Sequence, residues 1–282
     1  MKSLSGRTAV VTGASSGIGL ALVKRFHAEG MNVVLADVDL AGIEAIAAEL
    51  GERALAVRTD VSDPEAVDRL AAATLEAFGA VHVVCNNAGV ESGGAFSEIP
   101  LEAWRWVLGV NVMGVVNGCK TFLPLLREQD EAHIVNTSST AAFSSRTPTF
   151  APYIASKGAV LGLTESLAIE EHASGSNVGI SLLVPGPTRT RMMDAERNRP
   201  EDVPATDGDP KRTALFEQLR AVTDAGGLEP DEVAELVVNG ILEDRFYILT
   251  HPEAVFGSWE LRKQWLEGGP VPTPATVQVK SR

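Results

Sequence analysis

Short apolar segments alternate along the chain with longer segments whose apolar residues recur at helical spacing. The short segments predict strands at Thr8–Thr12, Asn32–Ala36, Ala54–Arg58, Val81–Cys85, His133–Thr137, Val178–Val184 and Phe246–Thr250. The longer segments predict helices at Gly17–Glu29, Leu40–Leu50, Pro64–Phe78, Leu101–Arg127, Pro152–His172 and Pro230–Leu242. We expect the fourth of these helices to bend or break near Pro124, because proline lacks the amide hydrogen that a helix needs.

Apolar strands that are each followed by a helix are typical of a parallel sheet covered by helices on both faces. Because crossovers between parallel strands are right-handed, the pattern predicts a doubly wound (Rossmann) α/β fold with a seven-stranded parallel sheet. We expect a single domain over residues 1–255 and a C-terminal extension over residues 256–282. Within the domain, residues 187–228 are polar and contain several prolines and glycines, so we expect a functional insertion there.

Composition narrows the possible functions. The chain has 282 residues, of which 45% are hydrophobic and 22% charged, and its formal net charge is −13. This balance argues against binding to nucleic acid or to an anionic membrane, both of which need clustered Lys and Arg. The first residues lack the apolar run of a signal peptide, and we expect a soluble cytoplasmic protein. Cys85 and Cys119 lie far apart without metal-ligand spacing, so we expect two buried thiols and no metal.

A glycine-rich loop, TGASSGIG at 12–19, directly follows the first predicted strand and opens the first predicted helix. Small residues let a ligand approach the backbone closely, and the N-terminus of a helix attracts phosphate. This context predicts a dinucleotide site, with a purely structural turn as the alternative; a Walker-type loop is excluded because no Gly-Lys-Ser/Thr ends it. The candidate cofactor-binding residues of the loop are Gly13, Ser15, Ser16, Gly17, Ile18 and Gly19.

The ends of the next strands supply further candidates. Asp37 ends the second strand, where a carboxylate can accept hydrogen bonds from the adenosine ribose hydroxyls and would repel a 2′-phosphate. No Arg or Lys in the glycine loop attracts that phosphate, so the sequence favours NAD over NADP. A turn cap is the alternative role for Asp37. Further cofactor contacts are predicted from Asp60, Val61, Asn87, Ala88 and Gly89.

One of the two tyrosines of the chain, Tyr153, lies four residues before Lys157 on a predicted helix. Side chains at this spacing project from the same face of the helix. A free phenol has a pKa of about 10. A neighbouring ammonium, together with the positive nicotinamide of an oxidised cofactor, would lower that pKa. The pair therefore predicts proton transfer between Tyr153 and a substrate oxygen, coupled to hydride transfer.

With these motifs in this order, the chain resembles the single-domain branch of the short-chain dehydrogenase/reductase family. The matching segments are TGASSGIG at 12–19, Asp60-Val61, NNAG at 86–89, Asn111 in GVNVMG, IVNTSS at 134–139, YIASK at 153–157 and PGPTRT at 185–190. The resemblance implies NAD as cofactor and a small-molecule alcohol or ketone as substrate. It also implies a homodimer or homotetramer, in which the helix at 101–127 and the helix that carries Tyr153 pair across subunits.

The resemblance implies catalytic roles for Asn111, Ser139, Tyr153 and Lys157. Ser139 would hydrogen-bond the substrate oxygen, and Tyr153 and Lys157 would also contact the cofactor. Asn111 would support a water linked to Lys157, whereas without the resemblance its simplest role is to satisfy local backbone. Ser139 and Tyr153 are fourteen residues apart, about one more than is usual in the family, and we expect the loop between them to absorb the extra residue. The residues implied at the nicotinamide are Pro185, Gly186, Thr188 and Thr190.

Four apolar side chains are predicted to form the wall of the substrate pocket: Phe143, Phe150, Met192 and Met193. They favour an uncharged, moderately bulky substrate, and the insertion at 187–228 could close over it. The main prediction is an NAD-dependent oxidoreductase that interconverts a secondary alcohol and a ketone. The alternatives are an NADPH-dependent ketone or 3-oxoacyl reductase, and a non-catalytic dinucleotide sensor.

Overall fold

The computed structural model describes residues 1–144 and 147–273, and within them seven parallel strands form one sheet. The strands are β1 (Thr8–Thr12), β2 (Asn32–Asp37), β3 (Ala54–Arg58), β4 (Val83–Asn86), β5 (Ala132–Thr137), β6 (Val178–Val184) and β7 (Tyr247–Leu249). Their order in the sheet is β3-β2-β1-β4-β5-β6-β7. The predicted seven-stranded parallel sheet is therefore confirmed.

Helices cover both faces of this sheet, as the alternating pattern predicts. They are α1 (Gly17–Ala28), α2 (Leu40–Leu50), α3 (Pro64–Phe78), α4 (Leu101–Leu108), α5 (Gly114–Arg127), α6 (Ala151–Ser174), α7 (Pro210–Gly226), α8 (Pro230–Leu242) and α9 (Pro252–Leu266). Successive strand residues point to opposite faces. Val11 of β1 accordingly packs in the apolar layer that contains Phe26 of α1. Its neighbour Val10 packs in the layer that contains Phe122 of α5.

The strand order places a crevice at the centre of the sheet. Strand β1 pairs with β2 on one side and with β4 on the other. The chain first moves outward from β1 to β3, then returns to the middle and moves outward in the opposite direction from β4. The connections that leave β1 and β4 therefore diverge, which opens the crevice at the carboxyl ends of these two strands.

The predicted interruption of the long helix lies elsewhere than expected. A π-helical turn at Gly109–Met113 separates α4 from α5, whereas Pro124 lies inside α5. The carbonyl left without a partner by Pro124 belongs to Lys120, which is exposed, so water can satisfy it. The whole stretch Leu101–Arg127 is long and apolar enough to meet the length and composition criteria for a membrane span. That is weak evidence, because core helices of globular domains meet the same criteria.

Among the described residues, two helices and two 3-10 segments lie where the sequence predicts none. The shorter 3-10 segment, Thr140–Ala142, follows β5. The expected insertion at 187–228 contains the 3-10 segment Met192–Asn198 and helix α7. A signal for α7 does exist in the sequence, since Asp209 and Pro210 are typical of the start of a helix. The Asp209 carboxylate accepts hydrogen bonds from the amides of Lys211 and Arg212. Helix α9 crosses residue 255, where we expect the domain to end, and the division into domain and extension stays a prediction.

Candidate active site

A cavity of about 560 Å³ opens at the carboxyl ends of the central strands. The glycine loop lies at one end of it. The segments that follow β2 and β4 form one wall, and α6 and the segment that follows β6 form the other. Most of the predicted site residues line this cavity: Gly13, Ser15, Ser16, Gly17, Ile18, Asp37, Asp60, Val61, Asn87, Ala88, Gly89, Ser139, Phe150, Tyr153, Lys157, Pro185, Gly186, Thr188, Thr190, Met192 and Met193. Gly19, Asn111 and Phe143 do not line it.

Steric contacts explain two of the glycines in the loop. Gly13 has a φ of +68°, and a Cβ atom there would lie 2.8 Å from the Cα atom of Ala88. A Cβ atom on Gly19 would lie 2.1 Å from the carbonyl oxygen of Gly13. Gly19 therefore acts through close packing of α1 against the loop. The N-cap residue Ser16 makes no side-chain hydrogen bond to the first turn of α1, which leaves backbone N–H groups available to a ligand.

Asp37 lies in the cavity wall and also orders the surrounding turn. One of its carboxylate oxygens accepts a hydrogen bond from the amide of Ser15 at 2.9 Å, and the other accepts from the amide of Asp39 at 3.1 Å. The ligand-binding role and the turn-capping role predicted for Asp37 are therefore compatible. At the end of β4, on the same wall, the Thr12 hydroxyl accepts hydrogen bonds from the amides of Asn87 and Ala88, each at 3.0 Å. These bonds fix the end of β4 against the end of β1.

Tyr153 and Lys157 lie on the buried face of α6 and are 8% and 2% exposed. The ammonium nitrogen of Lys157 is 5.7 Å from the centre of the Tyr153 ring and donates a hydrogen bond to the carbonyl of Thr137 at 2.9 Å. The Phe150 ring stacks on the Tyr153 ring with 4.6 Å between centroids. Helix α6 thus holds the phenol and the amine together at the cavity.

Burial dominates the acidity of both groups. It raises the pKa of Tyr153 to about 12, although a hydrogen bond with Ser139 acts in the opposite direction. It lowers the pKa of Lys157 to about 8. The sequence predicts a lowered phenol pKa when an oxidised cofactor is in place; without that positive charge, desolvation prevails. The phenol is therefore protonated at neutral pH and can act as a proton donor.

Ser138 and Ser139, which follow β5, point in different directions, as the alternation of side chains along a strand predicts. The hydroxyl of Ser138 donates a hydrogen bond to the backbone carbonyl of Lys157 at 2.8 Å, so this side chain serves helix packing. The Ser139 hydroxyl accepts a hydrogen bond from the amide of Ala141 at 3.1 Å and lies beside the Tyr153 hydroxyl. Of the two serines, Ser139 is the one placed to contact a substrate oxygen.

Asn111 lies in the π-helical turn and is fully buried behind the cavity. Its side-chain oxygen accepts a hydrogen bond from the amide of Val90, and its side-chain nitrogen donates to the carbonyl of Val90 and to the hydroxyl of Ser156. A Cβ atom on Gly89 would lie 3.4 Å from the Lys157 ammonium and 3.5 Å from the Asn111 side-chain oxygen. Asn111 therefore satisfies local backbone close to Lys157, and its role in proton exchange stays a prediction.

The predicted pocket wall needs one correction. Phe143 is 3% exposed and packs in the apolar layer that contains Phe122. The centroid of its ring lies 6.4 Å from that of Trp259 in α9. Phe143 therefore does not face the cavity. Phe216 of α7 is buried against Phe150 and Tyr153. Helix α7, which the sequence does not predict, thus buries an aromatic ring against Phe150 and the Tyr153 phenol.

Charged residues that the sequence analysis did not single out also reach the cavity. Arg191 and Arg197 line it, and the guanidinium of Arg197 donates a hydrogen bond to the Ser16 hydroxyl at 3.3 Å. Glu91 lines it as well and pairs with Arg212. Among the residues that the structure describes, no group of three or more His, Cys, Asp or Glu side chains is placed to hold a metal ion.

The fold, the glycine loop and the Ser-Tyr-Lys arrangement define a dinucleotide-linked dehydrogenase architecture. The chain belongs to the short chain dehydrogenase family, whose pattern matches residues 7–201, and the resemblance recognised in the sequence is confirmed.

Similar proteins are known by sequence and by structure. Over 260 residues the chain is 38% identical to the 1-deoxy-11-beta-hydroxypentalenate dehydrogenase of Streptomyces exfoliatus, which covers 89% of this chain and 85% of that protein. Over 202 residues it is 38% identical to the 2-(R)-hydroxypropyl-CoM dehydrogenase of Xanthobacter autotrophicus, and this match covers 69% of this chain and 80% of that protein. A short-chain dehydrogenase/reductase from Burkholderia phymatum, solved in complex with NAD, is 40% identical, with a TM-score of 0.93 over 98% of this chain and 100% of that one.

Proposed function

We propose that this chain is an NAD-dependent oxidoreductase that interconverts a secondary alcohol and a ketone. The observation that carries the proposal is the buried Tyr153, with Ser139 and Lys157 beside it, in a cavity that begins at the glycine loop. Two relatives at 38% identity are dehydrogenases of hydroxylated compounds by name. A structural neighbour at 40% identity binds NAD.

The donors and acceptors of the cavity fit such a cofactor. The glycine loop offers backbone N–H groups and the N-terminus of α1, which suit a pyrophosphate. Asp37 offers a carboxylate to ribose hydroxyls, and Pro185, Gly186, Thr188 and Thr190 line the cavity and would border the nicotinamide. NAD, when bound, supplies the acceptor for the hydride that leaves the carbinol carbon.

The residues of the chain handle the proton. Tyr153 donates its hydroxyl proton to the oxygen of a ketone in the reduction, and accepts the hydroxyl proton of an alcohol in the oxidation. Ser139 donates a hydrogen bond to the same substrate oxygen. The ammonium of Lys157 stabilises the phenolate that Tyr153 becomes after it has given up its proton.

The walls around Tyr153 support an uncharged, moderately bulky substrate. Phe150, Met192 and Met193 are the apolar side chains of the wall, and methionine adapts to irregular shapes. The resemblance to the family further supports a homo-oligomer, a dimer or a tetramer, formed through α4, α5 and α6. The two buried free thiols, Cys85 and Cys119, support a reducing compartment such as the cytoplasm.

Replacing each of the two tyrosines in turn tests the catalytic assignment. Tyr153→Phe should lower kcat by about two to four orders of magnitude, the usual contribution of a positioned acid or base. NADH affinity, followed by its fluorescence, should change little. Tyr247→Phe is the matched control, because Tyr247 lies on β7 and its hydroxyl bonds to Glu165. Equal turnover by both variants and the wild type would contradict the role of Tyr153, whereas tight NADH binding without turnover of any alcohol or ketone in the wild type would favour a dinucleotide sensor.

One observation keeps an NADPH-dependent reductase as the second candidate. The guanidinium of Arg197 donates a hydrogen bond to Ser16 in the glycine loop, where a cation could attract a 2′-phosphate. The sequence does not predict this contact. Asp37, on the same side of the cavity, opposes a 2′-phosphate. Titration of the protein with NADH and with NADPH in parallel separates the two candidates. Tighter NADPH binding would overturn the choice of NAD.

A further inference from the structure

A buried ion pair lies beside the active-site cavity and takes no part in the proton chemistry derived above. Glu91 is fully buried and lines the cavity, and one of its carboxylate oxygens, Oε1, accepts a hydrogen bond from Arg212 at 2.7 Å. The side chain of Arg212 is only 5% exposed and lies behind Glu91. Its guanidinium carbon is 4.3 Å from the centre of the Phe216 ring.

The other carboxylate oxygen of Glu91 lacks a partner. Within the described parts of the chain, Oε2 of Glu91 is buried and has no hydrogen-bond donor in reach. An ionised carboxylate can accept several hydrogen bonds, and burying one with so few is costly. Burial raises the pKa of Glu91, whereas the guanidinium of Arg212, which donates to Oε1, favours the charged carboxylate. A donor supplied by a ligand would remove the deficit.

The position of Glu91 connects it to the reacting group. It follows Val90, whose backbone is held by Asn111, and its charge acts on the hydroxyl of Tyr153. Arg212 stacks on Phe216, which itself packs against Tyr153. A substrate whose carbinol oxygen contacts Tyr153 therefore presents a neighbouring part of its skeleton to the carboxylate.

A purely structural role does not require this pair. The segment that contains Glu91 and the segment that contains Arg212 are already joined by a hydrogen bond between the hydroxyls of Ser92 and Thr206 at 2.9 Å. A second joins the amide of Ala95 to the carboxylate of Asp209 at 2.8 Å. Well-packed apolar residues can replace a buried ion pair without loss of stability, so the charge at this place needs another explanation.

We propose that Glu91 determines substrate specificity: its free carboxylate oxygen accepts a hydrogen bond from a second hydroxyl group of the substrate, and Arg212 holds the carboxylate in position. This inference rests on the proposed function and names its substrate class, a secondary alcohol or ketone that carries a further hydroxyl group on an otherwise apolar skeleton.

The test compares diols with monoalcohols of the same carbon skeleton. The panel contains vicinal diols and diols whose second hydroxyl lies one or two carbons further away. For the best diol, wild-type kcat/KM should exceed that of the matching monoalcohol by about tenfold or more, and the difference should lie mainly in KM, since a buried acceptor left unpaired disfavours the poorer ligand. The double variant Glu91→Met with Arg212→Met, which leaves no unpaired charge, should abolish this preference, measured as the ratio of diol to monoalcohol kcat/KM within the variant.

A conservative variant and a binding measurement keep the outcome unambiguous. Glu91→Gln should retain part of the preference, because the amide oxygen can still accept a hydrogen bond. NADH affinity and the melting temperature report on folding. Diol and monoalcohol affinities are also measured directly, by calorimetry on the protein with NADH bound.

Two failures are then distinguishable. If the wild type binds diols more tightly than monoalcohols but turns over neither, the proposed function fails and the inference about Glu91 stands. If diols and monoalcohols bind equally, or if the double variant keeps the full preference, the inference is overturned whatever the turnover.

Discussion

Burial favours the neutral form of both ionisable groups beside the proposed reaction centre. The pKa of Tyr153 is raised to about 12 and that of Lys157 is lowered to about 8. A phenol with so high a pKa is a proton donor over the physiological range and a poor acceptor. In the proposed alcohol oxidation Tyr153 accepts a proton, and that step requires positive charge near the ring.

Removing the charge of Lys157 should shift the pH dependence of alcohol oxidation. The rate rises as pH increases through the apparent pKa of the phenol, because the phenolate accepts the proton. Lys157→Met removes a positive charge that stabilises the phenolate, so the apparent pKa rises and the rise in kcat/KM moves to higher pH. The profile of kcat/KM against pH for a secondary alcohol measures the shift. Lys24→Met, at an exposed position on α1, is the control, and identical profiles for all three proteins would contradict the role of Lys157.

The sequence predicts individual site residues where their spacing is local. Tyr153 and Lys157 are four residues apart on one helix, and Asp37 ends a strand that follows the glycine loop, so each could be placed beside the cavity before the fold was known. Contacts between distant segments carry no such signal. Glu91 and Arg212 are 121 positions apart, and Arg197 and Ser16 are 181 apart. Their pairing depends on how the segment after β6 returns over the cavity.

At the level of elements, apolar periodicity identifies helices that pack against the sheet and misses those that pack elsewhere. Helix α7 buries Arg212, Phe216 and Thr223, a set with no apolar stripe to recognise. Helix α9 buries only Val255, while Trp259 and Trp265 are largely exposed. The π-helical turn at Gly109–Met113 leaves no periodic signature in so short a window. These elements follow from tertiary contacts rather than from local pattern.

The start of α1 depends on the absence of a side chain at Gly19. In Gly19→Ala, the new methyl group would lie 2.1 Å from the carbonyl oxygen of Gly13, so the first turn of the helix must move away from the loop. We expect NADH affinity to fall by at least about tenfold, because the N–H groups that would hold the pyrophosphate move with it. Fluorescence titration with NADH measures the loss.

Gly257→Ala provides the matched control for this substitution. Gly257 lies within α9, and a Cβ atom there meets nothing within 4 Å. Alanine in an exposed helix is favoured over glycine by roughly 0.5–1 kcal/mol, so this variant should be at least as stable as the wild type and bind NADH equally. Unchanged affinity in Gly19→Ala would show that the position of α1 does not control the cofactor site.

For the whole molecule, the alternation of strands and helices predicts a parallel sheet with two apolar layers but does not determine the order of its strands. That order follows from right-handed crossovers and from the return of the chain to the centre after β3. Because β1 and β4 are neighbours, the glycine loop and the segment after β4 face one crevice. The position of the cavity is thus a consequence of topology, whereas its chemistry comes from the residues that follow each strand.

One buried group couples the stability of the whole fold to pH. His133 lies on the interior strand β5 with its Nε2 atom 2.7 Å from the hydroxyl of Ser181, and burial lowers its pKa to about 3. The charged groups that face it are Asp244, 4.0 Å from Nδ1, and the N-terminal ammonium of Met1, which lowers the pKa further. The unfolded chain, where the histidine pKa is about 6.5, therefore binds a proton that the folded state does not.

Stability should accordingly fall as pH decreases below about 6.5, and the contribution of His133 amounts to about 2 kcal/mol of unfolding free energy at pH 5. Urea denaturation at pH 7 and pH 5, followed by tryptophan fluorescence, measures the loss in the wild type and in two variants. His133→Asn should be less stable at pH 7 but should lose less on acidification. His172→Asn, at an exposed position near the end of α6, should follow the wild type. If His133→Asn loses as much stability between the two pH values as the wild type, then His133 is not the group that binds the proton on unfolding.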